Sequence, residues 1–130
     1  MEPQFLNLED VLQIHHHLIE QYGGSHGIRD LGLLQSALAM PATTFGGEFL
    51  HDDFFAMAAA YLFHVVCNHP FVDGNKRTGS AAAFAFLELN GVSLKASEKE
   101  FEDMVRCVAE GRIDKDEIAI FLRESKVQDN

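Results

Sequence analysis

The amino-acid sequence predicts an all-α protein, a bundle of about six helices interrupted once by a short flap. Two observations carry this expectation. Apolar residues recur at spacings of three and four in successive stretches, each bounded by glycine, proline or a capping residue. Almost no stretch alternates apolar and polar residues with the period of two that a half-buried strand needs.

The first helix is read from Leu8, Val11, Leu12, His15, Leu18, Ile19 and Tyr22, a single stripe closed by Gly23-Gly24. A second begins near Asp30 and carries Leu33, Leu34, Ala37 and Leu38 to Met40, where Pro41 stops it. From Pro41 to His51 the periodicity lapses. Thr43-Thr44-Phe45-Gly46-Gly47 is too rich in glycine for a helix, so a short hairpin or flap is expected.

The third helix, roughly Asp53 to Cys67, and the fourth, roughly Asn75 to Asn90, are apolar on nearly all sides and so belong at the centre. Ala81, Ala82, Ala83 and Ala85 would allow close approach of a neighbouring helix. Gly91 suits the position after the fourth helix. Ser97 with Glu100 has capping-box spacing for a fifth helix ending at Gly111, and Asp114 with Glu117 does the same for a sixth, with Ile113 placed to staple onto Ile118.

A chain of 130 residues with 47% hydrophobic composition can build its own core, and one domain is expected over residues 1–126, with 127–130 as a frayed tail. The 20 acidic residues outnumber the 10 basic ones, and the resulting net charge of −10 disfavours a nucleic-acid partner. Cys67 and Cys107 lie in apolar helical patterns without metal-ligand spacing, so both are expected as buried thiols in a reducing compartment. The first ten residues lack a basic region, so no signal peptide is expected there. The most apolar stretch, Phe54 to Val66, is shorter than a membrane span and contains His64, so a soluble, cytoplasmic protein without a membrane partner is expected.

Between the two most apolar helices lies His69-Pro70-Phe71-Val72-Asp73-Gly74-Asn75-Lys76-Arg77, a dense polar set on a rigid support. A residue before proline is disfavoured in the α region, so His69 is expected to leave the third helix in an extended conformation. Phe71 is the candidate anchor of the loop. Gly74 would let the backbone approach a ligand, and the free N–H groups opening the fourth helix form an anion site to which Lys76 and Arg77 add full charge. Asp73 is a hard oxygen ligand suited to Mg²⁺ bridging phosphates. His69 belongs to the residue type that titrates nearest neutrality and is the candidate base for an attacking hydroxyl.

Other histidines carry less. Successive residues of His15-His16-His17 point about 100° apart on a helix and cannot converge on one ion; His15 belongs to the apolar face and the other two are expected to be exposed. His64 reads as a core histidine that could support His69. His51-Asp52 is the dipeptide of helical metal phosphohydrolases, but it falls at the edge of the flap rather than inside a helix. Phe101, Met104, Val105 and Val108 on the fifth helix read as core.

The segment HPFVDGNKRTG resembles the signature of the Fic/Doc family, His-x-Phe-x-Asp/Glu-Gly/Ala-Asn-Gly/Lys-Arg. The likeness extends to FLNLEDVLQIHHHLIEQYGG, GIRDLGLLQSAL and FLELNG, which look like death-on-curing toxins of toxin–antitoxin systems. The resemblance implies a Fic-fold helical bundle in which Pro41 to His51 forms a flap that aligns a target protein. It implies His69 as catalytic base, Asp73 as Mg²⁺ ligand, and Asn75, Lys76 and Arg77 as contacts to the phosphates of ATP.

Fic adenylyltransferases usually have glycine at the position of Lys76 and arginine at that of Ser80, and both departures point away from AMP transfer. In the death-on-curing branch the lysine is typical. There the implied reaction is phosphorylation of a hydroxyl of elongation factor Tu, with inhibition by the C-terminal segment of a cognate antitoxin. His-Pro-Phe and Gly74 are closer to the Fic wording, which keeps adenylyl transfer as an alternative, with a non-catalytic partner-binding protein as a third. The branch's founding toxin has arginine at the position of Cys67 and asparagine at that of Ala81, neither of which this chain can replace as a phosphate ligand. Thr44 to Glu48 approaches the inhibitory-helix motif of some Fic proteins, but Gly46-Gly47 interrupts it.

Overall fold

Helix α1 (Leu8–Tyr22) starts at a reciprocal capping box, in which Asn7 accepts from the Asp10 N–H and the Asp10 carboxylate accepts from the Asn7 N–H. In this computed structural model, which describes residues 2–128, α2 (Leu31–Ala39), α3 (Phe54–Asn68), α4 (Asn75–Leu89), α5 (Glu98–Ala109) and α6 (Lys115–Glu124) follow. The architecture is the expected all-α bundle of six helices with one small hairpin. No helix among the described residues is long and apolar enough to cross a membrane.

Most helix starts were written in the sequence. Asp30 accepts from the Leu33 N–H, Asp53 from that of Ala56, and Asp114 forms a full capping box with Glu117. Ser97 accepts from the Glu100 N–H, but the Glu100 carboxylate does not return the bond, so only half of that expected box forms. The α-helix ends at Ala39 with Met40 as its C-cap, directly before Pro41 as expected, and Pro41 sits in a 3₁₀ turn, Met40–Ala42, that follows α2. The hairpin pairs β1 (Thr44–Phe45) with β2 (Glu48–Phe49), and Gly46 and Gly47, at φ 61° and 85°, supply the left-handed pair that a two-residue hairpin turn requires.

α3 is the central element and packs most extensively on α4, then on α6 and α2. The main core joins Tyr61, Leu62 and Val66 of α3 to Ala82, Ala83, Phe86 and Leu87 of α4, Met104, Val105 and Val108 of α5, and Ile118 and Leu122 of α6. The closest approach of α3 to α4 depends on Gly79, where a Cβ would lie 2.9 Å from Val66 Cγ2 and 3.2 Å from the Leu62 carbonyl oxygen. Ala82 and Ala83 are buried as expected, whereas Ala81 and Ala85 line an open groove between α1 and α4. Val11, Leu34 and Phe71 form a second, smaller cluster beneath the loop between α3 and α4.

One expectation is corrected. Cys67 is exposed and Cys107 only half-buried, because the last turn of α3 carries Cys67 on the side turned from its neighbours. At the C-terminal end Lys126 pairs with Leu94 and Val127 donates to the Ser93 carbonyl, so the chain is tied down as far as Val127; Asp129 and Asn130 lie outside the described residues.

Candidate active site

The loop between α3 and α4 is held from three sides. α3 ends at His69, whose φ and ψ are both 51°. This is left-handed backbone, not the extended conformation expected before proline, and it is the only positive φ of a non-glycine residue among those described. Such a conformation costs roughly 1–3 kcal/mol and persists only where its surroundings impose it. Here they do. The segment Gly23 to Asp30 runs past the loop as a strap: the Arg29 and Asp30 N–H groups donate to the Pro70 carbonyl at 2.7 and 3.0 Å, and the Val72 N–H donates to the Gly27 carbonyl at 3.0 Å. The Arg29 side chain donates through Nε to the His69 carbonyl at 2.6 Å and through Nη2 to that of Asn68 at 3.0 Å.

Phe71 is wholly buried, as an anchor should be, and stacks on His15 of α1. His15 Nε2 lies 2.8 Å from the Asp73 carbonyl oxygen, which can only accept, so the ring carries its proton on Nε2 and donates. Asn75, 4% exposed, closes the loop from the other end: its Oδ1 accepts from the Phe71 N–H at 2.9 Å and its Nδ2 donates to the Phe71 carbonyl at 3.0 Å. Both ends of the amide are spent on the loop's own backbone, and what Asn75 offers an anion is its N–H in the first turn of α4.

Gly74 lines the cleft on one side and meets α1 on the other: at φ 80°, a Cβ there would sit 3.1 Å from Ile19 Cδ1 and 3.6 Å from His15 Nε2, so the missing side chain makes room for α1. Gly24, read only as a helix stop, matters for Asp73. A Cβ on Gly24 would fall 2.6 Å from Asp73 Oδ2. That oxygen accepts from the Ser25 N–H at 3.1 Å, and Oδ1 accepts from the Gly74 N–H at 2.9 Å.

With one lone pair of each oxygen engaged, the Asp73 carboxylate still has acceptor capacity for a hard cation. Among the described residues no three His, Cys, Asp or Glu side chains gather as a ligand set. That donor set fits Mg²⁺ held by one carboxylate, waters and nucleotide phosphates, and does not fit an all-protein metal cage. His51 and Asp52 form no such set either. His51 is buried near Lys115, and His64 has its Nε2 3.0 Å from Lys115 Nζ of α6. Burial first, then Lys115 and His51, hold the His64 pKa down to about 4.

Lys76 and Arg77 open α4. The first turns of α1, α5 and α6 carry acidic residues, the favourable partners of a helix N-terminus; that of α4 carries none. Among the described residues neither cation has an ion pair, although acidic residues outnumber basic ones two to one. The Arg77 guanidinium instead lies over the Tyr22 ring, 4.5 Å from its centroid. His69, Asp73, Gly74, Asn75, Lys76 and Arg77 all line one cleft of about 1110 Å³. Its far wall is α5, through Phe101, Glu102, Val105, Arg106 and Ala109. Reading α5 as core alone missed this, because Phe101 and Val105 are both nearly buried and turned to the cleft. Ala81 lines the cleft, whereas Cys67 does not.

A histidine, a carboxylate and two cations without ion pairs among the described residues thus meet around a helix N-terminus, on a helical bundle whose central pair of helices carries the loop. The chain belongs to the Fic/DOC family, whose model matches residues 5–87. It is 41% identical to the "Toxin Doc" of Mycolicibacterium smegmatis over 92% of this chain and 91% of that protein. It is 32% identical to the "Protein kinase doc" of Escherichia phage P1 over 88% of this chain and 90% of that one.

Proposed function

We propose that this protein is a death-on-curing type toxin that transfers the γ-phosphate of ATP to a Ser or Thr hydroxyl of a translation factor of the elongation factor Tu kind. The observation that carries the phosphate site is the cationic, unpaired first turn of α4 in an otherwise acidic protein. Lys76 and Arg77 next to the α4 dipole raise the energy of the empty protein and are best accounted for by an anionic ligand. Similarity to a protein whose name is a protein kinase supports phosphoryl over adenylyl transfer, as does Lys76 where AMP-transferring relatives have glycine.

In this reading His69 accepts the proton of the attacking hydroxyl. The hydroxyl oxygen forms its bond to the γ-phosphorus, the bond to the β–γ bridging oxygen breaks, and ADP leaves with that electron pair. Lys76, Arg77 and the first N–H groups of α4 neutralise the phosphate oxygens. Mg²⁺, bound by Asp73 and the phosphates, would supply further charge neutralisation. The exposed hairpin from Thr44 to Phe49 is suited to align the target segment. The apolar groove between α1 and α4, lined by Leu6, Ile14, Leu18, Phe84 and Leu89, meets the cleft at Leu18, Ala81 and Phe84 and would accept the C-terminal segment of an antitoxin.

Adenylyl transfer is the second reading, favoured by the His69-Pro70-Phe71 and Gly74 wording of the motif; a non-catalytic binding role is the third. Incubation of elongation factor Tu with the protein, Mg²⁺ and ATP labelled separately at the α and γ phosphates separates them. Label from γ alone is expected. Label from α would replace the kinase with an adenylyltransferase, and no label from either phosphate, with a protein that still arrests growth on expression, would leave the binding role. Growth arrest on expression is expected to disappear in His69→Ala, and persistent arrest would remove His69 as the base.

A further inference from the structure

We propose that Arg29 is a positioning residue for His69, its guanidinium holding the left-handed turn that presents the imidazole to the cleft. The proposal rests on the reading of His69 as the base. α3 has no basic residue in its own last turn, and Pro70 has no N–H to return to the helix. The orphan carbonyls at this helix end therefore need donors from elsewhere.

Arg29 and its neighbour supply them in sequence order. Asn68 O takes Nη2, His69 O takes Nε, and Pro70 O takes the N–H groups of Arg29 and Asp30. The guanidinium also places a full positive charge at the negative end of the α3 dipole. Without it, the His69 carbonyl loses its donor, and only the Arg29 and Asp30 N–H groups on the Pro70 carbonyl oppose the local preference of a residue before proline, which is extended backbone. Relaxation toward that region rotates both backbone angles and turns the ring out of the cleft.

The rest of the loop does not depend on the guanidinium. Asn68 is anchored through Nδ2 to the Leu33 carbonyl, Val72 to Gly27, Phe71 to Asn75 and Asp73 to Ser25. Removing the Arg29 side chain thus releases His69 and leaves the phosphate-facing part of the loop in place. A merely structural arginine would lower binding and turnover together.

The test compares the full chain with Arg29→Ala and Arg29→Lys. Three quantities are read: affinity for ATP with Mg²⁺, the γ-label transfer rate with its KM, and the His69 imidazole NMR signals assigned with His69→Ala. In Arg29→Ala, nucleotide affinity and KM are expected to stay within about two-fold, while kcat falls about ten- to a hundred-fold, the cost of a misplaced catalytic group. The His69 signals should move. Lysine, with a single ammonium in place of a fork, should restore part of the rate.

A kcat within about two-fold of the parent with unmoved His69 signals would overturn the proposal, as would a parallel loss of affinity and turnover. Should Arg29→Ala not fold, Arg29→Lys and Arg29→Gln are judged by the same two criteria. The imidazole signals need no protein target, so they decide the role of Arg29 even if neither phosphate of ATP is transferred and the kinase reading fails.

Discussion

The rings of His15 and Phe71 lie face to face, centroids 3.8 Å apart and planes 7° from parallel, while the same imidazole donates to the Asp73 carbonyl. One side chain of α1 thereby fixes both the anchor of the loop and the backbone of the candidate metal ligand. His15→Phe keeps a ring against Phe71 but leaves the Asp73 carbonyl without its donor. It is expected to cost about 0.5–1.5 kcal/mol, since this carbonyl is only partly buried and can recruit water. His15→Ala also loses the packing, and about 2–4 kcal/mol is expected. Urea unfolding of the two variants checks the order; equal losses would mean that the ring's packing on Phe71 contributes nothing, and no loss in His15→Phe would mean the same of the hydrogen bond.

Gly23 and Gly24 both have positive φ, at 88° and 115°, so alanine strains the backbone at either position. They differ in what a side chain would meet. Nothing lies within 4 Å of a Cβ on Gly23, whereas one on Gly24 would be 2.6 Å from Asp73 Oδ2 and 3.2 Å from Ile19 Cδ1. Asp73 must then abandon the Ser25 N–H. Gly24→Ala is expected to weaken Mg²⁺-dependent ATP binding about ten-fold, while Gly23→Ala loses stability without that change. Comparable affinities of the two variants, by isothermal titration, would show that Asp73 need not stay where it is.

Features set by residues close in sequence were legible without the structure. Asp30, Asp53 and Asp114 cap helices because a side-chain oxygen three residues from an orphan N–H satisfies it whatever the rest of the fold does. Gly46-Gly47 makes a hairpin for the same local reason. The site was legible as a set of residues, since the helix–loop–helix segment brings His69, Asp73, Lys76 and Arg77 to one cleft. What each does locally was less so. Asn75, Gly74, Gly24 and Arg29 act through partners that only the folded loop and strap supply, with Arg29 reaching 40 residues along the chain. At His69 the local rule for a residue before proline pointed the wrong way, because four long-range donors, two on the Arg29 guanidinium and the N–H groups of Arg29 and Asp30, outweigh it.

His64 gives the protein a pH-dependent stability distinct from that of its carboxylates. Lys115 donates to its Nε2, and burial, Lys115 and His51 together lower its pKa from 6.5 to about 4. Asp116 and Asp52 also face this cluster, raising the pKa of His51 against the larger effect of burial. Between those two values the unfolded chain binds a proton that the folded protein refuses. Stability from this group is thus complete above pH 6.5 and is lost as pH falls toward 4. The full shift would correspond to about 3 kcal/mol; with the ring only half-buried, solvent screening reduces the expectation to about 1–2 kcal/mol. His64→Gln keeps an acceptor for Lys115 and does not titrate. Urea unfolding at pH 7 and pH 5 should show a smaller loss in the variant, and identical losses would mean that His64 takes up its proton in the folded state as easily as out of it.

Lys76 tests whether the first turn of α4 is arranged for a ligand at the protein's own expense. Asn75, Lys76 and Arg77 present N–H groups without intrahelical partners, and the Thr78 N–H makes the first bond of the helix, to the Gly74 carbonyl. A cation placed there opposes the helix dipole, and Lys76 is exposed with no carboxylate among the described residues paired to it. Lys76→Glu reverses the sign and should stabilise the free protein by about 0.3–1 kcal/mol at low ionic strength. The same change puts a carboxylate against phosphate oxygens, so ATP affinity should fall by about ten-fold or more and lose part of its salt dependence. Opposite movements of melting temperature and affinity are the expected signature. A variant that is both less stable and unchanged in ATP binding would show that Lys76 has a structural partner, and the case for an anion site at α4 would then rest on Arg77 and the backbone alone.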